Sequence, residues 1–172
     1  MRHKAVFWRR AKQDVCACLL SLLIVGMSLA LIGMLPARAA TSQLYWSDPH
    51  SGIAIGGYDP VAYFVDGRPR AGSPDFELQW AGGTWRFVNE GNREVFRRDP
   101  QVYAPRFGGY DPLQIVRGYI APGNPLIWTV RQQRLYLFIT IGQREQWPRN
   151  DAMTRLKVQE SWSRLRRTLV KK

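Results

Sequence analysis

Both cysteines of this 172-residue chain, Cys16 and Cys18, sit inside one uncharged run from Val15 to Leu35. A basic start carrying Arg2, Lys4, Arg9, Arg10 and Lys12 precedes the run, and Pro36 and the small-residue stretch Ala37-Arg38-Ala39 follow it. A basic start, an apolar core and an A-x-A site compose a secretory signal, with cleavage expected before Ala40. The run is also long enough to cross a bilayer core of about 30 Å as an uncleaved helix. Residues 1–39 are therefore read as a signal peptide or an N-terminal membrane anchor. Both readings send the remainder out of the cytoplasm. It is expected in the periplasm or otherwise extracytoplasmic, tethered to the inner membrane by residues 15–35 if they are retained. What folds there has no cysteine and no disulfide, so packing must hold it together.

Roughly 130 residues remain, enough for one domain with a sizeable core. Their Trp, Tyr and Phe content supplies large buried areas per side chain. Residues 40–52 (ATSQLYWSDPHSG) read as a linker, 53–148 as the domain and 149–172 as a basic amphipathic C-terminal helix. FELQWAGGTWRFVN predicts a β-hairpin turning at Gly82-Gly83, and LIWTVRQQRLYLFIT predicts a second with RQQR as its polar tip. Asn89 is placed to cap a short helix carrying Val95 and Phe96. LQIVRGYI fits either a helix or a strand. In the last segment Val158, Trp162, Leu165 and Leu169 recur at helical spacing. The expected class is α+β: a small single domain of antiparallel β-hairpins with a short central helix and a C-terminal helix.

The pentamer GGYDP occurs at 56–60 and again at 108–112. A duplication should repeat the apolar pattern of a whole supersecondary unit. VAYFVDGRPRAG and LQIVRGYIAPGN, which follow the two pentamers, share no such pattern. The reading is two similar turns, in which Gly supplies backbone freedom, Asp bonds its own backbone and Pro presets φ.

Several pieces in combination carry a resemblance: DPVAYF, the hairpin W-x-G-x-T-W-x-F, then N-R-x-x-F-x-x-x-P-x-x-Y-A-P and GGY. From about Ile53 to Trp147 the chain resembles the YHS domain family, in particular its exported bacterial branch with the GYDPVAYF signature. Metal-binding relatives of this domain carry cysteines at the positions that align with Ala62, Val88 and Asn92. The exported branch often has one after its second GGY, where this chain has Asp111. The resemblance thus implies the family's domain without the thiols of its metal-handling members.

The residues themselves narrow the chemistry further. Beyond residue 39 the chain offers His50 and no cysteine, too little for a tetrahedral zinc site or a thiolate copper site, and no cofactor is expected. It has no nucleophile elbow and no phosphate-binding glycine loop. Asp59 and Asp111 share a context; brought together they would form an acid/base pair, and apart each would cap its own turn. Tyr58, Asp59, Arg106, Tyr110, Asp111 and Arg117 are the candidate ligand-binding residues, around a groove for a small anionic or flat ligand or a protein partner. The C-terminal helix either docks on an anionic membrane surface or packs on the domain by its stripe. Export argues against nucleic acid. The expected function is an exported, non-catalytic YHS-type binding or interaction module, not an enzyme. The alternative is a metal-handling or redox accessory protein with non-thiol ligands, and an enzyme built on Asp59 and Asp111 is a third reading.

Overall fold

The backbone takes its shape from two glycine turns. Gly56 and Gly57 have φ of 63° and 79°, and Gly108 and Gly109 have 66° and 81°, all in the left-handed region where a side chain costs energy. The residue before each pair, Ile55 at 41° and Phe107 at 55°, is also left-handed although it carries a side chain. Each turn forms a short 3-10 segment, Ile55–Gly57 and Arg106–Gly109.

The computed structural model describes residues 44–147 and 152–170. Helix α1 (Ala62–Val65) follows the first turn, then β1 (Ser73–Trp80), β2 (Gly83–Phe87), α2 (Glu90–Arg98) and α3 (Pro100–Tyr103). Helix α4 (Pro112–Val116) follows the second turn, then β3 (Asn124–Arg131), β4 (Arg134–Phe138), α5 (Ile141–Gln146) and the long α6 (Ala152–Val170). The strands form two antiparallel two-stranded sheets, β1-β2 and β3-β4. The class is α+β. Among the described residues no helix is long and apolar enough to cross a membrane; the run at 15–35, and with it the leader reading, lies outside them.

The expectation of two merely similar turns is overturned, because the whole unit recurs. Gly72 donates its N–H to the Gly57 carbonyl and Gly123 donates to Gly109. Asp59 N–H bonds the Arg70 carbonyl, and Asp111 N–H bonds Ala121. Tyr58 bridges Ala71 as Tyr110 bridges Pro122. Both hairpins slip register at the same place, between Ser73 and Glu77 and between Asn124 and Trp128. Both then turn through two left-handed residues, Ala81-Gly82 and Gln132-Gln133. Left-handed φ at both central positions gives a two-residue turn whose twist suits the strands. The first turn therefore lies one residue earlier than Gly82-Gly83.

Both hairpins run into a capped helix. The Asn89 side chain accepts from Asn92 N–H, and Thr140 accepts from Gln143 N–H in a capping box. The second of these helices, α5, goes beyond the sequence expectations, and α4 settles the ambiguity at 112–116 in favour of helix. With the structural register in hand, Phe87-Val88 lies over Phe138-Ile139, and Gly91-Asn92-Arg93-Glu94 over Gly142-Gln143-Arg144-Glu145.

Residues 44–52, expected to belong to a linker, are instead part of the domain. Trp46 donates its N–H to the Gly108 carbonyl at 2.8 Å and accepts from Ile55 N–H at 3.3 Å, so one residue joins both glycine turns. Ser47 then bridges Ala54. The copies also meet directly: the Tyr63 hydroxyl donates to the Pro125 carbonyl, and the Tyr63 and Trp128 rings pack edge to face.

Two apolar clusters result. One gathers Ile55, Val61, Tyr63, Trp85, Phe87 and Phe96 with Leu135 and Leu137 from the second hairpin. The other gathers Phe107, Tyr110, Ile115, Phe138 and Trp147 under Val158 and Trp162 of α6. Leu165 and Leu169 complete that contact. The apolar stripe of α6 is thus spent on the domain, as expected of a helix packed on it.

Candidate functional site

Each glycine turn delivers an aspartate into the interior. Asp59 and Asp111 are both fully buried, and their surroundings follow one plan. One oxygen caps the helix that follows: Asp59 Oδ1 accepts from Val61 and Ala62 N–H at 2.8 and 3.3 Å, and Asp111 Oδ1 from Leu113 and Gln114 N–H at 2.7 and 3.3 Å. The other oxygen clips the residue just past the second strand of the hairpin, Val88 N–H at 2.9 Å or Ile139 N–H at 2.8 Å. Asp59 Oδ2 also accepts from Asn92 Nδ2 at 2.7 Å. A buried charge is tolerated when such donors surround it. All these donors come from the aspartate's own copy, and neither carboxylate hydrogen-bonds the other. Each aspartate therefore caps its own turn.

Ala62, Val88 and Asn92, the positions that the YHS resemblance aligns with metal-ligating cysteines, converge on this first carboxylate through Ala62 N–H, Val88 N–H and Asn92 Nδ2. As a metal site the set does not fit. Two of the three side chains have no donor atom, and both oxygens of Asp59 are already hydrogen-bonded. Among the described residues there is no group of three or more His, Cys, Asp or Glu able to hold a metal ion. Asp48 and His50 belong to an exposed turn in which Asp48 Oδ1 accepts from His50 N–H and from Ser51. Those hydrogen bonds, from Ser51 first, hold the Asp48 carboxyl below its ordinary range.

A cleft of about 160 Å³ opens at the second glycine turn. It is lined by Phe107, Gly108 and Trp162, by Leu44, Tyr45, Gln101, Ala104 and Pro105, and by Arg106, Gln159 and Arg166. Left-handed Phe107 and Gly108 let the N-terminal arm cross directly above. A Cβ at Gly108 would lie 2.0 Å from the Leu44 carbonyl oxygen and 3.3 Å from the Trp162 ring. Residues 159, 162 and 166 share one face of α6 by helical spacing. Arg106 Nη2 donates to Gln159 Oε1 at 3.3 Å, and its guanidinium sits 5.4 Å from the Phe107 ring centre. Burial raises the Tyr45 phenol pKa, an effect that the Arg106 charge opposes.

Of the six residues singled out from the sequence, the cleft contains Arg106. Tyr58 is half-buried beside the first cluster, and Tyr110 packs on Trp162 with ring centres 6.0 Å apart. Burial raises the Tyr110 pKa. Asp59 and Asp111 are the caps described above, and Arg117 is exposed at the end of α4. Tyr45, Gln101, Gln159, Trp162 and Arg166 were missed. The first fell in the supposed linker and the last three in a segment read only for its stripe and its charge. The 159/162/166 spacing was the available signal for those three. No protein-family model, curated protein or solved structure matches the chain.

Proposed function

We propose that this chain is an exported, non-catalytic binding module of YHS type, whose ligand sits in the cleft between the second glycine turn and α6. The observation that carries the reading is the hydrogen-bonded carboxylate of Asp59, which gathers the three positions where metal-binding relatives have thiols. That arrangement keeps the connection between helix start, hairpin end and turn while removing the ligands of a metal site. Both aspartates are committed to backbone N–H groups, which leaves neither free to shuttle a proton. The cleft, by contrast, is a concavity lined by Leu44, Phe107 and Trp162 together with the polar side chains of Tyr45, Gln101, Arg106, Gln159 and Arg166, more polar than the usual small-molecule pocket and suited to a polar ligand.

Elemental analysis of the purified protein after dialysis, paired with native mass spectrometry, tests this. The expected result is less than stoichiometric metal, together with a small molecule that is retained by the native protein and lost in Trp162→Ala. Stoichiometric metal surviving dialysis would overturn the reading in favour of the metal-handling alternative.

A further inference from the structure

We infer that the cleft at the second glycine turn is a receptor for a compact oxyanion, a phosphate or carboxylate group, held between Arg106 and Arg166. The inference rests on the binding-module reading and names the ligand class for that same cleft.

Two guanidinium groups from separate elements line one concavity. The planar fork of arginine matches the two oxygens of a carboxylate; here Arg106 is half-buried and Arg166 is exposed. The ion pairs of the first copy join arginine to carboxylate: Arg86 with Glu77, Arg93 with Glu90, Arg97 with Glu94. Among the described residues Arg106 and Arg166 take part in no ion pair. Among the described residues the Arg106 side chain hydrogen-bonds the neutral amide of Gln159 alone, at 3.3 Å, besides its contact with the Phe107 ring, and the Arg166 side chain has no hydrogen bond. Two like charges on the lining of one cleft repel each other, and an anion bound between them relieves that repulsion.

The rest of the lining agrees with the charge. Gln101 and Gln159 carry amide N–H groups that can donate to an oxyanion, and the Tyr45 hydroxyl already bonds Gln101 Oε1 at 3.5 Å. Among the described residues no Asp or Glu lines the cleft. Its volume of about 160 Å³ is well below that of drug-sized pockets, roughly 300–1,000 Å³. That suits one phosphate group or a short dicarboxylate and is small for a nucleotide. The equivalent place in the first copy has Ala54 where the second has Arg106, so only the second turn has this charge.

The test titrates the purified full-length protein with inorganic phosphate and with succinate at low ionic strength, using calorimetry and the shift in melting temperature. Indole serves as a neutral planar probe. The variants are R106Q, R166Q and, as a control for general charge, R117Q on the exposed end of α4. At least one of the two anions is expected to bind saturably to wild type and raise its melting temperature. Affinity should fall about tenfold or more in R106Q and in R166Q and stay within about twofold in R117Q. The anion that binds more tightly identifies the source chemistry. An equal loss in all three variants would mean diffuse attraction and would overturn the inference. Indole binding at the cleft without either anion would overturn it while leaving the binding module standing. Binding of none of the three probes, with no retained molecule in the native mass spectrum, would take down both.

Discussion

The two copies of the repeated unit share a backbone plan and differ in how it is secured. The first is tied from within. Asn92 reaches back from α2 to the Asp59 carboxylate, and ion pairs link β1 to β2 and successive turns of α2. The second keeps the Asp111 clip but turns Gln143 to Thr140 instead. It is covered from outside by the arm at Leu44–Trp46 and by α6, and it leaves Leu126, Ile139 and Ile141 exposed. The first unit still borrows Leu135 and Leu137 of the second hairpin and Tyr45 of the arm for its core, so the contrast lies in its internal polar ties. A unit that depends on added elements gains a seam, and the cleft lies in that seam.

Removing the carboxylates probes this contrast most severely. Asp59→Ala orphans four donors, among them the buried Val61 and Ala62 N–H groups and the half-buried Val88 N–H, and should cost on the order of 5 kcal/mol. Against the usual margin of about 5–15 kcal/mol that is close to unfolding. Asp111→Ala orphans three and should cost about 1–2 kcal/mol less. Urea denaturation of the two variants measures the difference. Equal losses would mean that Asn92 adds nothing to the first copy.

The glycine turns come next. Gly108→Ala combines a left-handed φ with a Cβ 2.0 Å from the Leu44 carbonyl oxygen and should cost about 3 kcal/mol. Gly56→Ala meets nothing nearer than 3.7 Å and should cost only the strain of its backbone, about 1–2 kcal/mol. Hydrogen exchange at Trp46 N–H should accelerate in the first variant and hardly in the second. Comparable protection in both would show that the arm is not seated by the glycine.

How much of this could be read beforehand depended on how local each signal was. Hairpins, the Asn89 cap and the α6 stripe are carried by neighbouring residues, and they were legible. The repeat was hidden by a single residue. The first copy is one longer between turn and hairpin, so a comparison running straight on from GGYDP loses register within a few positions. With that residue allowed for, identities resume at Gly72 and Gly123, Pro74 and Pro125, and Phe87 and Phe138, where GNRE and GQRE then follow. The arm was misread for a different reason: ATSQLYWSDPHSG is polar and turn-rich, yet Trp46 is held by backbone hydrogen bonds to residues far along the chain. The cleft unites residues 44, 45, 101, 106, 159, 162 and 166, and no window of sequence contains them. Arg106 was found because it adjoins the pentamer, and Arg166 was lost among the other basic residues of the tail.

The helix starts offer a finer contrast. Asn92→Ala removes a 2.7 Å hydrogen bond to a buried carboxylate and should cost about 1.5–3 kcal/mol. Gln143→Ala removes the reciprocal half of an exposed capping box and should cost less, about 0.5–1 kcal/mol. If the Gln143 variant were the more damaging, the second copy would depend on its helix cap more than on its covering elements.

The smallest expected effect has the opposite sign. Ser47 is buried in the arm at 7% exposure, and its hydroxyl finds no hydrogen-bond partner. It bridges Ala54 through its backbone, and its Cβ lies 3.6 Å from where a Cβ on Gly83 would stand. An unsatisfied hydroxyl pays for desolvation with nothing in return, whereas alanine fills the same position with one atom fewer. Ser47→Ala should therefore raise stability by up to about 1 kcal/mol, seen as a higher urea midpoint with an unchanged slope. A lower midpoint would mean that the hydroxyl holds an ordered water between the arm and the first copy. The first copy would then rely on the arm for a side-chain polar contact in addition to the backbone bonds at Trp46 and Ser47, and the division between the two units would narrow.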